Sequence, residues 1–164
     1  MQENIFSKLA MNSTTFHPEL QPDFPSRRVE LSFRDPVTKE LTLGRVPYAN
    51  PARDCTGGVG LYSTPNDCAA LFRALLTSDD RLLHPSSFEE IMTPQLQDNT
   101  PYADAVAGKA GINLWQTWAK GVGGMFGLSA NITAEDFPGR RAKGSGSWMG
   151  MPGIHCVSLP RSLE

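Results

Sequence analysis

Trp148 lies in the segment GSGSWMGMPG, residues 144–153, where glycines and small hydroxyl residues dominate. Glycine weakens the interior of a strand, but it lets a ligand or another part of the chain approach the backbone closely. Such a segment could therefore hold a ligand through its backbone N–H groups. The same residues could also form an ordinary turn beside a tryptophan that fills the core. The local sequence leaves both interpretations open.

A serine nucleophile that is activated by lysine requires the two residues three positions apart, so that one helical turn brings them together. The residues three positions before the lysines are Ile5, Pro36, Val106, Thr117 and Arg140. Only Thr117 carries a hydroxyl, and we interpret its spacing to Lys120 as coincidence. The segment GLSAN, residues 127–131, lacks the second glycine of a Gly-x-Ser-x-Gly motif. The sequence therefore predicts no nucleophile within the chain.

The sequence contains no pattern typical of a metal or nucleotide site. The three histidines are far apart and are interpreted as surface or structural residues: His17, His84 and His155. The cysteines are odd in number and lack a Cys-x-x-Cys pair, which predicts buried, reduced thiols: Cys55, Cys68 and Cys156. The segment GVGGMFG, residues 121–127, misses the dinucleotide-binding motif by one position. No metal and no cofactor are expected.

Composition points to one soluble globular domain. The chain has 164 residues, of which 40% are hydrophobic and 20% are charged, and its net charge is −2. This balance gives no basic patch for nucleic acid or for a membrane surface. No apolar run approaches the roughly 20 residues that span a bilayer, and the first residues lack the pattern of a signal peptide. A cytoplasmic location is therefore expected.

Several helices and one hairpin can be placed from local patterns. Apolar spacing predicts helices over about 2–10, 65–77 and 86–92. Thr64 is expected to cap the second helix, with Pro65 at its first position and Asp67 at its third. The segments VELSF and ELTLG alternate weakly around Asp35-Pro36, which predicts a β-hairpin.

Two further strands are predicted over about 123–132 and 145–158, with a turn between them at AEDFPGRRAK. A single hairpin is only marginally stable in water. The apolar faces of the helices need a larger sheet to cover them, and the sequence does not supply the rest of one. The chain is therefore expected to be part of an α+β domain.

Four segments together resemble the serine β-lactamase-related family, and they occur in the family's order: ENIFSKLAMNSTTF, GGVGLYSTPNDCAALFRALL, RLLHPSSFEEIMTPQL and GSGSWMGMPG. This family includes class C β-lactamases, family VIII carboxylesterases and fungal acyltransferases of statin biosynthesis. The resemblance implies a partial β-lactamase/transpeptidase-like domain, in which helices pack on an incomplete antiparallel sheet. It also implies an acyl-transfer enzyme that works on small-molecule esters or thioesters.

The resemblance also implies a site. The strand with Trp148-Met149-Gly150 would border it, and the N–H of Met151 would bind the oxyanion of the acyl-transfer intermediate. The tryptophan would form an apolar wall that favours neutral acyl groups. The loop before the second predicted helix would shape another part of the pocket, through Gly58, Gly60 and Tyr62.

The chain also departs from the family pattern. The family's Ser-x-x-Lys and catalytic tyrosine would lie before residue 1, and we interpret Tyr48-Ala49-Asn50 as a chance match to the tyrosine motif. After Gly153, the sequence IHCVSLPRSLE replaces the expected last strands and helix. The resemblance therefore implies one partial domain over 1–164 that is inactive alone. The alternative is a non-catalytic binding or interaction module, which would associate through an open sheet edge.

Overall fold

The computed structural model of the chain describes residues 1–45, 49–95, 124–150 and 154–158. These residues form two compact units, Met1–Ala70 and Leu71–Glu164. Three sequence predictions lie outside the described residues. They are the chance tyrosine match at Tyr48, the Thr117–Lys120 pair and the oxyanion donor Met151.

The N-terminal unit begins with one wide helical turn over Gln2–Phe6, which is a π-helix. The predicted helix over 2–10 is therefore too long. The chain leaves the helical path after Phe6 through a series of turns, and Ala10 adopts a positive φ of 54°. Phe6 and Met11 are both 3% exposed, so this segment supplies much of the unit's small apolar core.

A short helix and an exposed hairpin follow. One 3₁₀ turn spans Pro18–Leu20, and helix α1 spans Phe24–Arg27. Strands β1 (Ser32–Arg34) and β2 (Leu41–Leu43) pair antiparallel, which confirms the predicted hairpin. Its turn is closed by Asp35, whose Oδ1 accepts hydrogen bonds from two backbone N–H groups at 2.7 Å each. The same two bonds lower the pKa of this carboxyl.

Helix α2 spans Pro65–Leu76, close to its predicted bounds. Thr64 caps it as expected, because its Oγ1 accepts a hydrogen bond from the N–H of Asp67 at 3.3 Å. The Asp67 carboxylate then ties the start of the helix to an earlier segment. Its Oδ2 accepts from the N–H of Ser13 at 2.9 Å and from Oγ1 of Thr14 at 2.7 Å.

The C-terminal unit contains helix α3, Pro85–Met92, and a four-stranded antiparallel sheet. The strands are β3 (Gly124–Phe126), β4 (Asn131–Thr133), β5 (Gly146–Gly150) and β6 (Ile154–Ser158), and they lie in sequence order. The prediction of two long strands was wrong, because each of them is a hairpin. Gly127 follows the end of β3, and the second predicted strand contains Pro152-Gly153 in its sequence. These residue types favour turns over continuous strands.

Helix α3 packs on this sheet, as the α+β prediction required. The N–H of Leu128 donates to the carbonyl of Ile91 at 3.2 Å, and Ile132 of β4 is only 4% exposed. A Cβ on Gly127 would collide with the Ile91 carbonyl oxygen, so glycine is needed at this close approach. None of the described helices has the length and the apolar run that crossing a bilayer requires.

Candidate functional site

Strand β5 lies between β4 and β6 and carries two of the predicted site residues, Trp148 and Gly150. Its two neighbours cover different lengths of it. Strand β6 pairs with it along the whole range, from Gly146 to Gly150. Strand β4 pairs with it only at Gly146 and Ser147. The register on the β4 side therefore ends before Trp148.

The direction of the β5 backbone groups follows from one hydrogen bond. The carbonyl of Ser145 accepts from the N–H of Thr133 at 2.9 Å, so residue 145 points its backbone groups toward the β4 side. In an antiparallel ladder, successive residues alternate between the two sides. The backbone N–H and C=O groups of Ser147 and Met149 therefore also point toward the β4 side. The N–H of Met149 lies beyond the end of the β4 register.

Trp148 is 47% exposed, which is a large fraction for an indole. Its ring makes an edge-to-face contact with Phe126 of β3, with 6.3 Å between ring centroids and an interplanar angle of 68°. This contact holds the indole while roughly half of its surface stays open. The geometry agrees with an apolar wall and disagrees with a tryptophan that only fills the core.

The sequence did not predict a cluster of buried polar residues in β4 and at the start of β5. Its members are Asn131, Thr133, Ser145 and Ser147. Asn131 pairs with Ser147 in the register, so the two side chains project from the same face of the sheet. Ser147 is 3% exposed, and its Oγ accepts from the guanidinium of Arg141 at 3.2 Å. The alternation of polar residues at 131, 133, 145 and 147, with period two, was the available sequence signal.

The electrostatics of this cluster reflect its burial. Partial burial of Arg141 lowers its pKa, and the neighbouring charge of Arg140 lowers it further. Asn131 is completely buried, and neither its amide nitrogen nor its amide oxygen has a hydrogen-bond partner among the described residues. Asn131-Ile132-Thr133 matches a glycosylation sequence, but an asparagine at 0% exposure is closed to a glycan in the folded chain.

The remaining predicted residues lie in the N-terminal unit, in the loop before α2. The backbone of Tyr62 exchanges two hydrogen bonds of 2.9 Å with Thr15, and its ring contacts Phe24 edge-to-face at 5.0 Å. Gly60 has a φ of +87°, a conformation that favours glycine. A Cβ on Gly58 would meet no atom within 4 Å, so packing does not demand glycine there.

The structure thus places the predicted residues in two groups. Trp148 and Gly150 share one strand of the C-terminal unit, whereas Gly58, Gly60 and Tyr62 share one loop of the N-terminal unit. Each group keeps its proposed role as a prediction. In the part of the chain that the structure describes, no cluster of His, Cys, Asp or Glu has the arrangement of a metal site.

Comparison with known proteins gives several relatives and no matching family model. An acyltransferase of Monascus pilosus is 29% identical over 100% of this chain and 41% of its own length. A lovastatin esterase of Penicillium rubens is 31% identical over 58% of this chain. A mutant of simvastatin synthase from Aspergillus terreus superposes with a TM-score of 0.88 at 27% identity, covering 98% of this chain and 40% of that one. The chain is therefore similar to fungal acyltransferases and an esterase, and it resembles the serine β-lactamase-related family in fold.

A more distant structure agrees on the fold of this family. The penicillin-binding protein homologue of Pyrococcus abyssi superposes with a TM-score of 0.63 at 18% identity. The match to simvastatin synthase extends over nearly the whole chain, so the resemblance noted in four sequence segments is confirmed. The chain spans about 40% of the length of the relatives with the broadest matches.

Proposed function

We propose that this chain is the C-terminal part of a serine acyltransferase or hydrolase that acts on esters or thioesters through an acyl-enzyme. The observation that carries the proposal is the half-paired strand β5, in which the N–H of Met149 lies past the end of the β4 register, next to the exposed Trp148. The names of the relatives, which include acyltransferases and an esterase, agree with this reaction class.

The backbone of β5 supplies the oxyanion donor in this proposal. The backbone groups of residues 145, 147 and 149 point to the same side of the strand. The family resemblance assigns the oxyanion role to the N–H of Met151, which lies outside the described residues. In acyl transfer, the carbonyl oxygen gains negative charge in the tetrahedral intermediate. A preorganised N–H at that position lowers the barrier by roughly 3–4 kcal/mol. This donor is a backbone group, so the proposed role does not depend on the side chain at that position.

Trp148 selects the acyl group. A charged residue beside the oxyanion strand would attract a carboxylate, whereas the half-exposed indole offers an uncharged surface. Burying a carboxylate against this ring without a cationic partner would cost free energy. The site is therefore proposed to prefer neutral acyl groups. A substrate-binding role for Gly58, Gly60 and Tyr62 is a separate proposal that rests on the family resemblance.

The nucleophile, its lysine and the catalytic tyrosine come from a preceding part of the longer protein in this proposal. Serine attack on the ester forms the acyl-enzyme, and the lysine and tyrosine serve as base and acid. An in-frame Ser-x-x-Lys in the genomic sequence upstream of Met1 is the expected finding. A stop codon in every upstream frame, with no such motif, would refute the C-terminal assignment.

Activity assays test the proposal that the nucleophile lies outside this chain. The 164-residue chain alone is expected to give no burst with p-nitrophenyl butyrate above a heat-treated control. A burst with acyl label on a serine of this chain would overturn that expectation. In an active longer form, Trp148→Ala should lower kcat/KM for this ester about 10-fold, since roughly 1–2 kcal/mol of apolar contact is lost. Phe33→Ala, at a 60% exposed position, is the matched aromatic control.

A binding or interaction module remains the second candidate, and one observation favours it. Strand β6 ends the described sheet and pairs there with β5 alone. An open edge of this kind can accept a strand from a partner. Size-exclusion chromatography separates the two candidates, because a folded monomer or a defined dimer favours the module and aggregation favours a part of an enzyme.

We also propose a cytoplasmic location for the longer protein. Cys55 and Cys68 form no disulfide within the described part of the chain, which suits a reducing compartment. Cell fractionation with an antibody against this chain tests the proposal, and recovery from the medium or the secretory compartments would contradict it.

A further inference from the structure

Cys55, His17 and Glu19 form a side-chain cluster in the N-terminal unit. The Sγ of Cys55 lies 3.7 Å from Nε2 of His17. The opposite ring nitrogen, Nδ1, lies 3.2 Å from Oε1 of Glu19. The prediction of a buried thiol was wrong for Cys55, which is exposed to solvent. The order thiol, imidazole, carboxylate is the arrangement that activates a cysteine nucleophile.

Two chain segments that are distant in sequence carry this cluster, and a backbone bridge ties them together. The N–H of Thr15 donates to the carbonyl of Tyr62, and the N–H of Tyr62 donates to the carbonyl of Thr15, both at 2.9 Å. His17 lies two residues after Thr15, and its N–H donates to the Thr15 Oγ1 at 2.9 Å. Cys55 lies seven residues before Tyr62. The bridge therefore joins the two chain segments that carry the imidazole and the thiol.

The imidazole is oriented on its other side as well. Glu19 belongs to the 3₁₀ turn Pro18–Leu20, which His17 caps and in which the N–H of Leu20 donates to the His17 carbonyl at 3.1 Å. A carboxylate accepts, so Nδ1 carries the proton in the neutral ring. That tautomer leaves the lone pair of Nε2 directed to the thiol, where it can accept the Sγ proton.

We propose that Cys55 is an activated thiol that accepts an acyl group from small thioesters, with His17 as general base and Glu19 as the residue that orients it. Nε2 takes the Sγ proton, and the sulfur attacks the thioester carbonyl. A new S–C bond forms at Cys55 and the C–S bond to the donor breaks. The leaving thiolate then takes the proton from His17. The exchange replaces one thioester by another and needs no oxidant.

Cys68 provides an internal comparison for this reactivity. It is half-buried, and its Sγ contacts the hydroxyl of Ser63 at 3.5 Å instead of an imidazole. A hydroxyl is a poor base at neutral pH, so this thiol lacks the proton acceptor that Cys55 has. The two cysteines thus differ in the feature that the proposal invokes.

The test incubates the folded 164-residue chain with butyryl-N-acetylcysteamine at pH 7 and follows each cysteine by peptide mass spectrometry. Cys55 is expected to be butyrylated at least about 10-fold faster than Cys68, in line with the lower range of general-base catalysis. Cys55→Ser should abolish the fast phase, and Cys68→Ser should leave it unchanged. His17→Gln should slow it about 10-fold, and Glu19→Gln should slow it less.

Unfolding the chain in guanidinium separates activation by the fold from intrinsic reactivity. In denaturant, Cys55 and Cys68 should react at similar rates, because the imidazole is no longer near the thiol. Equal rates in the folded chain would overturn the proposal, as would a His17→Gln variant that reacts as fast as the parent. Neither outcome bears on the serine chemistry proposed for the longer protein, which is tested with β5 and the upstream sequence.

Discussion

Replacing Asn131 by leucine is expected to stabilise the C-terminal unit. The side chain is 0% exposed, and in the part of the chain that the structure describes neither amide atom has a hydrogen-bond partner. Burying an unpaired amide costs about 1–3 kcal/mol in mutational series. Leucine has nearly the same size and removes both polar atoms, so the free energy of unfolding should rise by about that amount. For a chain of 164 residues, the corresponding increase in Tm is roughly 2–12 °C.

Urea unfolding followed by tryptophan fluorescence measures this change, with Trp148 in the neighbouring strand as one reporter. Ser145→Ala is the matched control. Ser145 is equally buried, but its hydroxyl donates to the carbonyl of Ala142 at 2.7 Å. Removing that bond should cost about 1 kcal/mol. The two substitutions at buried polar positions are therefore expected to change stability in opposite directions.

A loss of stability for Asn131→Leu similar to that for Ser145→Ala would refute this reasoning, because it would show that the amide is bonded. The comparison requires an unchanged m-value, since a changed slope indicates a different unfolded state or a lost two-state transition. A stabilised variant would also bear on the role of Asn131 in function. An unpaired buried amide in the sheet that carries the proposed oxyanion strand would be a cost retained at a functional site.

Three further predictions concern residues that stabilise the fold within each unit. Gly127→Ala should lower the free energy of unfolding in urea by about 1–3 kcal/mol, because its Cβ would collide with a backbone oxygen of α3. Gly58→Ala is the control, since its Cβ would enter open space and stability should change little. Equal effects of the two substitutions would contradict this prediction. Asp67→Ala should lower the free energy of unfolding by about 2–3 kcal/mol, because the carboxylate accepts two hydrogen bonds from residues 13 and 14. A loss under about 0.5 kcal/mol, as for an ordinary surface substitution, would contradict this prediction. A hydrogen bond from Arg81 lowers the pKa of Asp79 to about 2. The folded-state pKa lies below the unfolded value, so this contribution to stability is present above about pH 4 and disappears as the pH falls toward 2. Arg81→Gln should raise the pKa of Asp79 toward its ordinary value in an NMR titration, and an unchanged pKa would show that the pair is not the cause.

The helices and the first hairpin could be predicted because their signals are local. Thr64, Pro65 and Asp67 lie within four residues of one another, and the cap that they form does not depend on the rest of the fold. The helix over 2–10 was too long for the opposite reason. Its apolar spacing continues to Leu9, but the chain turns after Phe6, which is buried. Tertiary burial outweighed helical periodicity at this position.

The strands were harder to predict. Glycine-containing segments have little periodicity, so 123–132 and 145–158 were each interpreted as one strand instead of two. The extra reversals change the site, because they place β4 on one side of β5 and β6 on the other. Only the register shows that β4 stops at Ser147 and leaves the later N–H groups of β5 beyond its end.

The sequence by itself indicated the family resemblance, the helix cap at Thr64 and the segment that carries Trp148, because motif residues and helix signals lie within a few positions of one another. Only the tertiary structure decided the surroundings of those residues. Asn131 and Ser147 are 16 residues apart and oppose each other through sheet register, and His17 and Cys55 are 38 apart and meet through a backbone bridge. Contacts of this separation depend on how strands pair and loops close, and no local preference of the residues involved specifies them.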